Sequence, residues 1–161
     1  MVQNSEWGPP LWRALHTLAE RIGRQSSPLL AADEGRAWIH VLRGVELIMP
    51  CPMCRKHFRE WRIANPIDVL MGGGSLASRM WLWNLHEDVN GRREVPAGGR
   101  VAFEDLERVY GQAARRREDL QQDIDILVGV LQRATLLRQV DGGVIRAWRG
   151  KLGILRRLMG L

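Results

Sequence analysis

The sequence predicts an all-α fold: a four/five-helix bundle followed by a further helical segment at its C-terminal end. Three observations carry that expectation. Apolar residues recur at three- and four-residue steps along most of the 161-residue chain. No stretch alternates for long with the period of two that a half-buried strand needs. The breaks between periodic runs are rich in Gly, Pro and Ser, the residues that stop helices. A chain of this length buries roughly 70% of its unfolded surface without disulfides or metal to staple it.

The elements follow in order. After "GPP", where proline suits a first helical turn, Leu11, Leu15, Leu18 and Ile22 recur at helical spacing, and Gly23 with "QSSP" ends the run. A second helix is predicted from about Asp33 to Met49, with Trp38, Val41, Val45 and Ile48 on one face. A third, short one starts at Pro52 and runs towards Ala64, where "NPID" interrupts. The permissive "MGGGS" leads into a fourth, "SLASRMWLWNLHEDVNG", with Gly91 as its C-cap. Beyond Tyr110, Leu120, Ile124, Leu127, Leu131 and Ala134 mark one long amphipathic helix, which "VDGG" breaks. The last helix, over 144–159, interleaves Val144, Ile145, Trp148, Leu152 and Leu155 with five basic residues. Such an apolar stripe does not stay in water, so this helix is expected to pack on the long one before it or on a partner.

Charge and hydropathy narrow the function classes. No apolar run approaches the roughly 20 residues of a membrane span, and the start lacks a basic stretch followed by an apolar one. The expectation is a soluble, unprocessed chain. Residues 1–110 carry 14 basic and 13 acidic side chains, whereas 111–161 carry 10 and 5. The basic residues of the last helix share it with an apolar stripe whose sole aromatic is Trp148, which argues for an ordinary charged face and against nucleic-acid binding.

The only cysteines, Cys51 and Cys54, leave three readings open: a redox pair, half of a metal site, or two core thiols. A structural zinc takes four ligands, which here means Cys51, Cys54, His57 and His86. A redox pair needs a stabilised thiolate, and Pro50 and Pro52 bracket Cys51 at a helix start, where the dipole with Arg55, Lys56 and Arg59 favours one. Trp12 and His16 stand four residues apart on one helix face, as do His86 and Asn90 on another. Aromatics, imidazoles and an amide around a CxxC suit a planar heteroaromatic cofactor with its adenosine.

The order W-G-x-x-x-W-x-x-L-H, then P-C-x-x-C, then "WLWNLHEDVN", resembles the Erv/ALR family of FAD-linked sulfhydryl oxidases over about residues 7 to 110. The resemblance implies an Erv/ALR-type helical bundle, usually a homodimer, that binds FAD between helices and oxidises protein dithiols with O2, releasing H2O2. Carried over motif by motif, Cys51 and Cys54 are the active disulfide, and Trp12 and His16 line the flavin nucleotide. His86 and Asn90 meet the adenine end, Arg92 or Arg93 the pyrophosphate, and Tyr110 the adenosine. Cys51, at the exposed helix start, is expected to exchange with substrate, and Cys54 to face the cofactor.

The sequence also departs from the family pattern. Glu87 follows His86 where Asn is common, and there is no second cysteine pair to act as a shuttle. Electrons must then enter at Cys51 or Cys54 directly, from a thioredoxin-like or client dithiol protein. Shuttle-free members are typical of large DNA viruses, which points to the cytoplasm of an infected cell or the virion, with the mitochondrial intermembrane space as the other option. Residues 1–110 are expected to form the oxidase bundle and 111–161 a basic helical extension that docks another protein. On that division, removing residues 112–161 leaves FAD binding intact. The alternative reading is a non-enzymatic helical adaptor or virion assembly protein, stabilised by zinc.

Overall fold

The computed structural model describes residues 1–161, which are helical with no strand. Seven α-helices follow one another: α1 (Asn4–Ala19), α2 (Pro28–Ile48), α3 (Pro52–Ala64), α4 (Gly74–Arg92), α5 (Leu106–Tyr110), α6 (Arg117–Leu136) and α7 (Gly142–Met159). Short 3-10 turns at Ile67–Leu70, Ala97–Gly99 and Phe103–Asp105 join them. The all-α class is the observed one.

Two helix starts lie well before the positions that the sequence predicts, and α7 starts slightly early, at Gly142. α1 begins at Asn4 and takes Pro9 and Pro10 inside it, although each removes a backbone donor and crowds a carbonyl one turn back. Local contacts hold that start: the Glu6 carboxylate accepts the Gln3 backbone N–H at 2.7 Å, and Asn4 Oδ1 accepts the indole N–H of the buried Trp7 at 3.2 Å. α2 begins at Pro28, because Ser27 is its N-cap and Pro28 fills the first helical position. The "SSP" that stops one helix therefore also opens the next. At the other end of the bundle α4 runs through Gly91 to Arg92, so Gly91 lies inside it and is not its cap.

One hydrophobic cluster runs through the molecule, from Val2 and Leu11 in the first helix to Trp148 and Leu155 in the last. α6 packs on α1, and α7 packs chiefly on α2 rather than on α6, the neighbour the sequence suggested. The reason is a notch at Gly44. A Cβ there would stand 2.6 Å from Trp148 Cδ1, so only glycine admits the indole, whose N–H donates to the Val41 carbonyl at 3.0 Å. The extension is thus packed into the same core as the bundle.

Buried carboxylates fix how the helices sit around the site, each of them paired, as burial demands. Asp123 of α6 meets Arg13 of α1 at 2.8 Å and also Arg115, whose Nε donates to Thr17 Oγ1 at 3.2 Å. Glu46 of α2 holds Arg59 at 2.6 Å and Arg62 at 3.0 Å, which orients α3. Glu20 ties α1 to Arg79 of α4 at 2.5 Å.

Candidate active site

The loop after α2 ends in Cys51, which is the N-cap of α3. Its Sγ accepts the Cys54 backbone N–H at 3.1 Å, and Pro52, which has no N–H to satisfy, takes the first helical position. The two cysteines are disulfide-bonded with Cα atoms 5.2 Å apart, a separation that suits the bridge. Asn4 of α1 donates to Cys54 Sγ at 3.5 Å.

The three basic residues expected to stabilise a thiolate are spent elsewhere. Arg55 donates to the carbonyls of Met49 at 2.6 Å and Gln139 at 2.7 Å, Lys56 faces Glu60 at 3.8 Å, and Arg59 is bound to Glu46. The groups that touch sulfur are a helix N-terminal amide and an asparagine amide. These are short-range neutral donors, and they favour a thiolate through hydrogen bonding and the helix dipole.

Beside the disulfide lies a cavity of about 260 Å3, just under the 300–1,000 Å3 usual for small-molecule sites. Its wall is mostly apolar: Trp7 and Trp12 from α1, Met49, Phe58 of α3, and Leu85 and Val89 of α4. Both cysteines, Asn4, His57 and Asp88 also border it, with Arg92 and Arg93 at the end of α4. Arg92 is paired with Asp88 at 2.8 Å, while Arg93 has no carboxylate within ion-pair distance.

A second constellation adjoins this cavity through Trp12. The Trp12 indole stacks on the His86 ring, with centroids 4.0 Å apart and planes 7° off parallel. His86 Nδ1 and His16 Nε2 share a hydrogen bond of 2.9 Å, and His16 stacks in turn on Tyr110 at 4.8 Å. Burial lowers the His16 pKa to about 3, with the neighbouring His86 adding to the effect. Burial likewise lowers that of His86 to about 4, against a smaller opposing pull from Glu87. Both rings are therefore neutral at pH 7, one donating and one accepting. Burial raises the Tyr110 pKa, so its phenol stays protonated.

Asn90 is buried on the same helix and donates to Glu87 Oε1 at 3.2 Å, while Glu87 Oε2 meets Arg100 at 3.3 Å. The off-pattern glutamate thus has partners of its own. Of the residues singled out from sequence, Trp12, Cys51, Cys54, Arg92 and Arg93 border the cavity. His16, His86 and Tyr110 form the stack with Trp12, and Asn90, one turn after His86 on α4, does not border the cavity. Sequence reasoning missed Asn4, which meets a cysteine 50 residues away without any local signal. It also missed Met49, Phe58 and Leu85, whose apolar character reads as ordinary core. The four residues of the zinc reading do not assemble: no group of three or more His, Cys, Asp or Glu side chains comes together in ligating geometry.

The Erv1 / Alr family model matches residues 9–105, more than half of the chain, from α1 to the last 3-10 turn. The chain belongs to this family. It is 30% identical over 108 residues to an FAD-linked sulfhydryl oxidase of African swine fever virus (isolate Pig/Kenya/KEN-50/1950), covering 66% of this chain and 82% of that protein. A Frog virus 3 (isolate Goorha) protein, provisionally named FAD-linked sulfhydryl oxidase 088R, is 32% identical over 94 residues, covering 57% of this chain and 59% of its own length. No solved structure gives a significant match. The residues present fit the family's cofactor: an apolar cavity flanked by indoles for a flat ring system, guanidiniums at its edge for a pyrophosphate, and neutral imidazoles adjoining it for a base.

Proposed function

We propose that the protein is an FAD-dependent thiol oxidase that makes disulfide bonds in protein dithiols. One observation carries the reading: a disulfide at a helix N-terminus borders both an indole-lined cavity and open surface. An adaptor or assembly protein would have no use for that placement.

Trp12, the stacked His16 and His86, Asn90 and Tyr110 are the proposed cofactor-binding residues, with Arg92 for the pyrophosphate and Arg93 placed between the cavity and the open hollow, bordering both. Bound FAD supplies the acceptor for an electron pair, which O2 takes onward as H2O2. Cys51 borders the open hollow as well as the cavity, whereas Cys54 borders the cavity alone, so Cys51 is the proposed exchange residue. A substrate thiolate attacks Cys51 Sγ, the S–S bond breaks, and Cys54 leaves as a thiolate, to which Asn4 donates. The substrate's second thiolate then attacks the substrate sulfur of the mixed disulfide and expels Cys51 as a thiolate. At that moment Cys51 sits as an N-cap with the Cys54 N–H directed at it. The substrate gains one disulfide, and the Cys51–Cys54 pair holds the two electrons.

All of these residues lie within 1–110, and the functional division at that point is part of the proposal. A homodimer is supported by Leu76 and Met80, exposed one turn apart on α4. The viral relatives favour an infected-cell cytoplasm or virion setting, and no helix is long and apolar enough to cross a membrane.

The test is spectroscopic and kinetic. The purified protein should be yellow, release FAD on denaturation and oxidise dithiothreitol. Cys51→Ser and Cys54→Ser should both keep FAD and lose oxidation. Only Cys51→Ser, with Cys54 left free at the cavity, should gain a long-wavelength thiolate–flavin absorption. If that band appears in Cys54→Ser instead, the two roles are exchanged; a colourless protein sinks the oxidase reading.

A further inference from the structure

Cys51 borders a second, more open hollow of about 420 Å3 that Cys54 does not. Residues 1–5, Pro50, Pro52 and Arg93 line it with Cys51. The remaining contributor is Gln139, in the turn between α6 and α7, outside the part of the chain that the family model matches.

Gln139 is held there on three sides. Its backbone N–H donates to the Ala134 carbonyl at 2.9 Å, its carbonyl accepts Arg55 Nη2 at 2.7 Å, and its side-chain Oε1 accepts the Val2 N–H at 3.1 Å. Arg55 is itself one turn into α3 and also grips the Met49 carbonyl, so the turn of the extension and the start of the disulfide helix are joined through one guanidinium. With Oε1 and the backbone engaged, the Gln139 side-chain NH2 keeps both donors unspent. Arg93 has no carboxylate partner, and no Asp or Glu borders the hollow. The surface beside the exchanging sulfur thus offers side-chain donors and positive charge. Pro50 and Pro52 add no backbone N–H of their own.

The chemistry that answers such a surface is an acceptor-rich strand: carbonyl oxygens of extended peptide and a carboxylate beside the reactive cysteine. We propose that this hollow seats the substrate's cysteine-bearing segment in extended form, that it prefers acidic neighbours to basic ones, and that Gln139 makes the C-terminal extension part of substrate selection. The inference rests on the thiol-oxidase reading and adds the class of substrate to it. A dithiol too small to reach the walls escapes the selection.

The experiment uses the full-length holoprotein and three reductants: dithiothreitol, and two otherwise identical extended peptides carrying a cysteine pair flanked by aspartates or by lysines. The wild type should oxidise the aspartate-flanked peptide with a KM about fivefold lower than the lysine-flanked one. Gln139→Glu keeps the acceptor for Val2 while replacing the free NH2 with a second acceptor and a charge. It should lose or reverse the preference through KM, with dithiothreitol turnover and the flavin spectrum unchanged. Equal KM values for the two peptides in the wild type would overturn the proposal without recourse to any variant, as would a Gln139→Glu protein that retains the wild-type preference. Absence of dithiothreitol oxidation would instead remove the oxidase reading on which it rests.

Discussion

The segment that the family model matches and the two helices beyond residue 111 contribute differently to the molecule. The first holds the disulfide, the cavity apart from Asn4, Trp7 and Gly8, and all of the imidazole stack except Tyr110, and the chain up to Tyr110 carries nearly balanced charge. The second is basic on its outside and, apart from Gln139, touches neither redox cavity nor hollow. Yet it supplies Leu120, Leu127, Leu131, Trp148 and Leu155 to the core that holds the first segment's helices in place. Chemistry and support are separable along the chain and inseparable in space. Asp123 shows this in one residue: it sits on α6 and fixes Arg13, the neighbour of the cavity residue Trp12.

Removing residues 112–161 is the strongest way to break the comparison. The truncated chain loses α6 from α1 and α7 from α2, uncovering the Gly44 notch to water, and leaves the Val41 carbonyl without its indole donor and Arg13 without its buried partner. The shared core argues for the opposite of the expectation drawn from sequence that FAD binding survives this deletion, and the deletion itself is the test. The expected outcome is a chain with no cooperative unfolding transition and no bound flavin, measured by circular dichroism and absorption. A yellow, cooperatively folding 1–111 fragment would mean that the first segment is self-sufficient.

A single side chain sharpens the same point with a smaller effect. Trp148→Ala empties the Gly44 notch and leaves the Val41 carbonyl without its indole donor. The loss should be about 3–5 kcal/mol of folding free energy, the range for deleting a buried large aromatic. Urea unfolding measures it. Because Trp148 borders neither the cavity nor the hollow, dithiothreitol turnover per folded molecule should stay at the wild-type level. A fall in turnover with stability unchanged would place α7 in the chemistry after all.

How much of this was legible in the sequence differs between the two segments in a physically informative way. The CxxC, Trp12 with His16, and His86 with Asn90 are local patterns, and the structure keeps each on the helix that its spacing predicts. The third helix was read to its observed limits because Pro52 and "NPID" are strong local signals. What sequence could not give were long-range choices: α7 selecting α2 through a glycine notch, Asn4 reaching Cys54, and Gln139 arriving beside Cys51. The basic run after the CxxC misled for the same reason. Arg55 and Lys56 do sit near the start of α3, with Arg59 further along it, but carbonyls and carboxylates claim all three.

The smallest expected effect concerns acid, and it too separates the segments, since no histidine lies beyond residue 86. His16 and His86 are held neutral by burial, with pKa values lowered from 6.5 to about 3 and about 4. Below pH 6.5 the unfolded chain therefore binds protons that the folded chain refuses until pH 4 and below. More protons on the unfolded state means that folding stability falls as pH falls, through the window from 6.5 down to about 4 for His86 and about 3 for His16, and is undiminished by these groups above it. By pH 6 the pair should cost about 1.5 kcal/mol, shared nearly equally because both folded-state pKa values lie well below that pH. The measurement is urea unfolding of the holoprotein from pH 7.5 to 4.5, against His16→Gln, which retains a hydrogen-bonding side chain but cannot titrate. The variant should show a shallower decline between pH 6.5 and 5, whatever its absolute stability. Wild-type stability that stays level down to pH 4.5, or a variant slope equal to the wild-type slope, would mean that the stacked imidazoles take up protons in the folded state as freely as in the unfolded one.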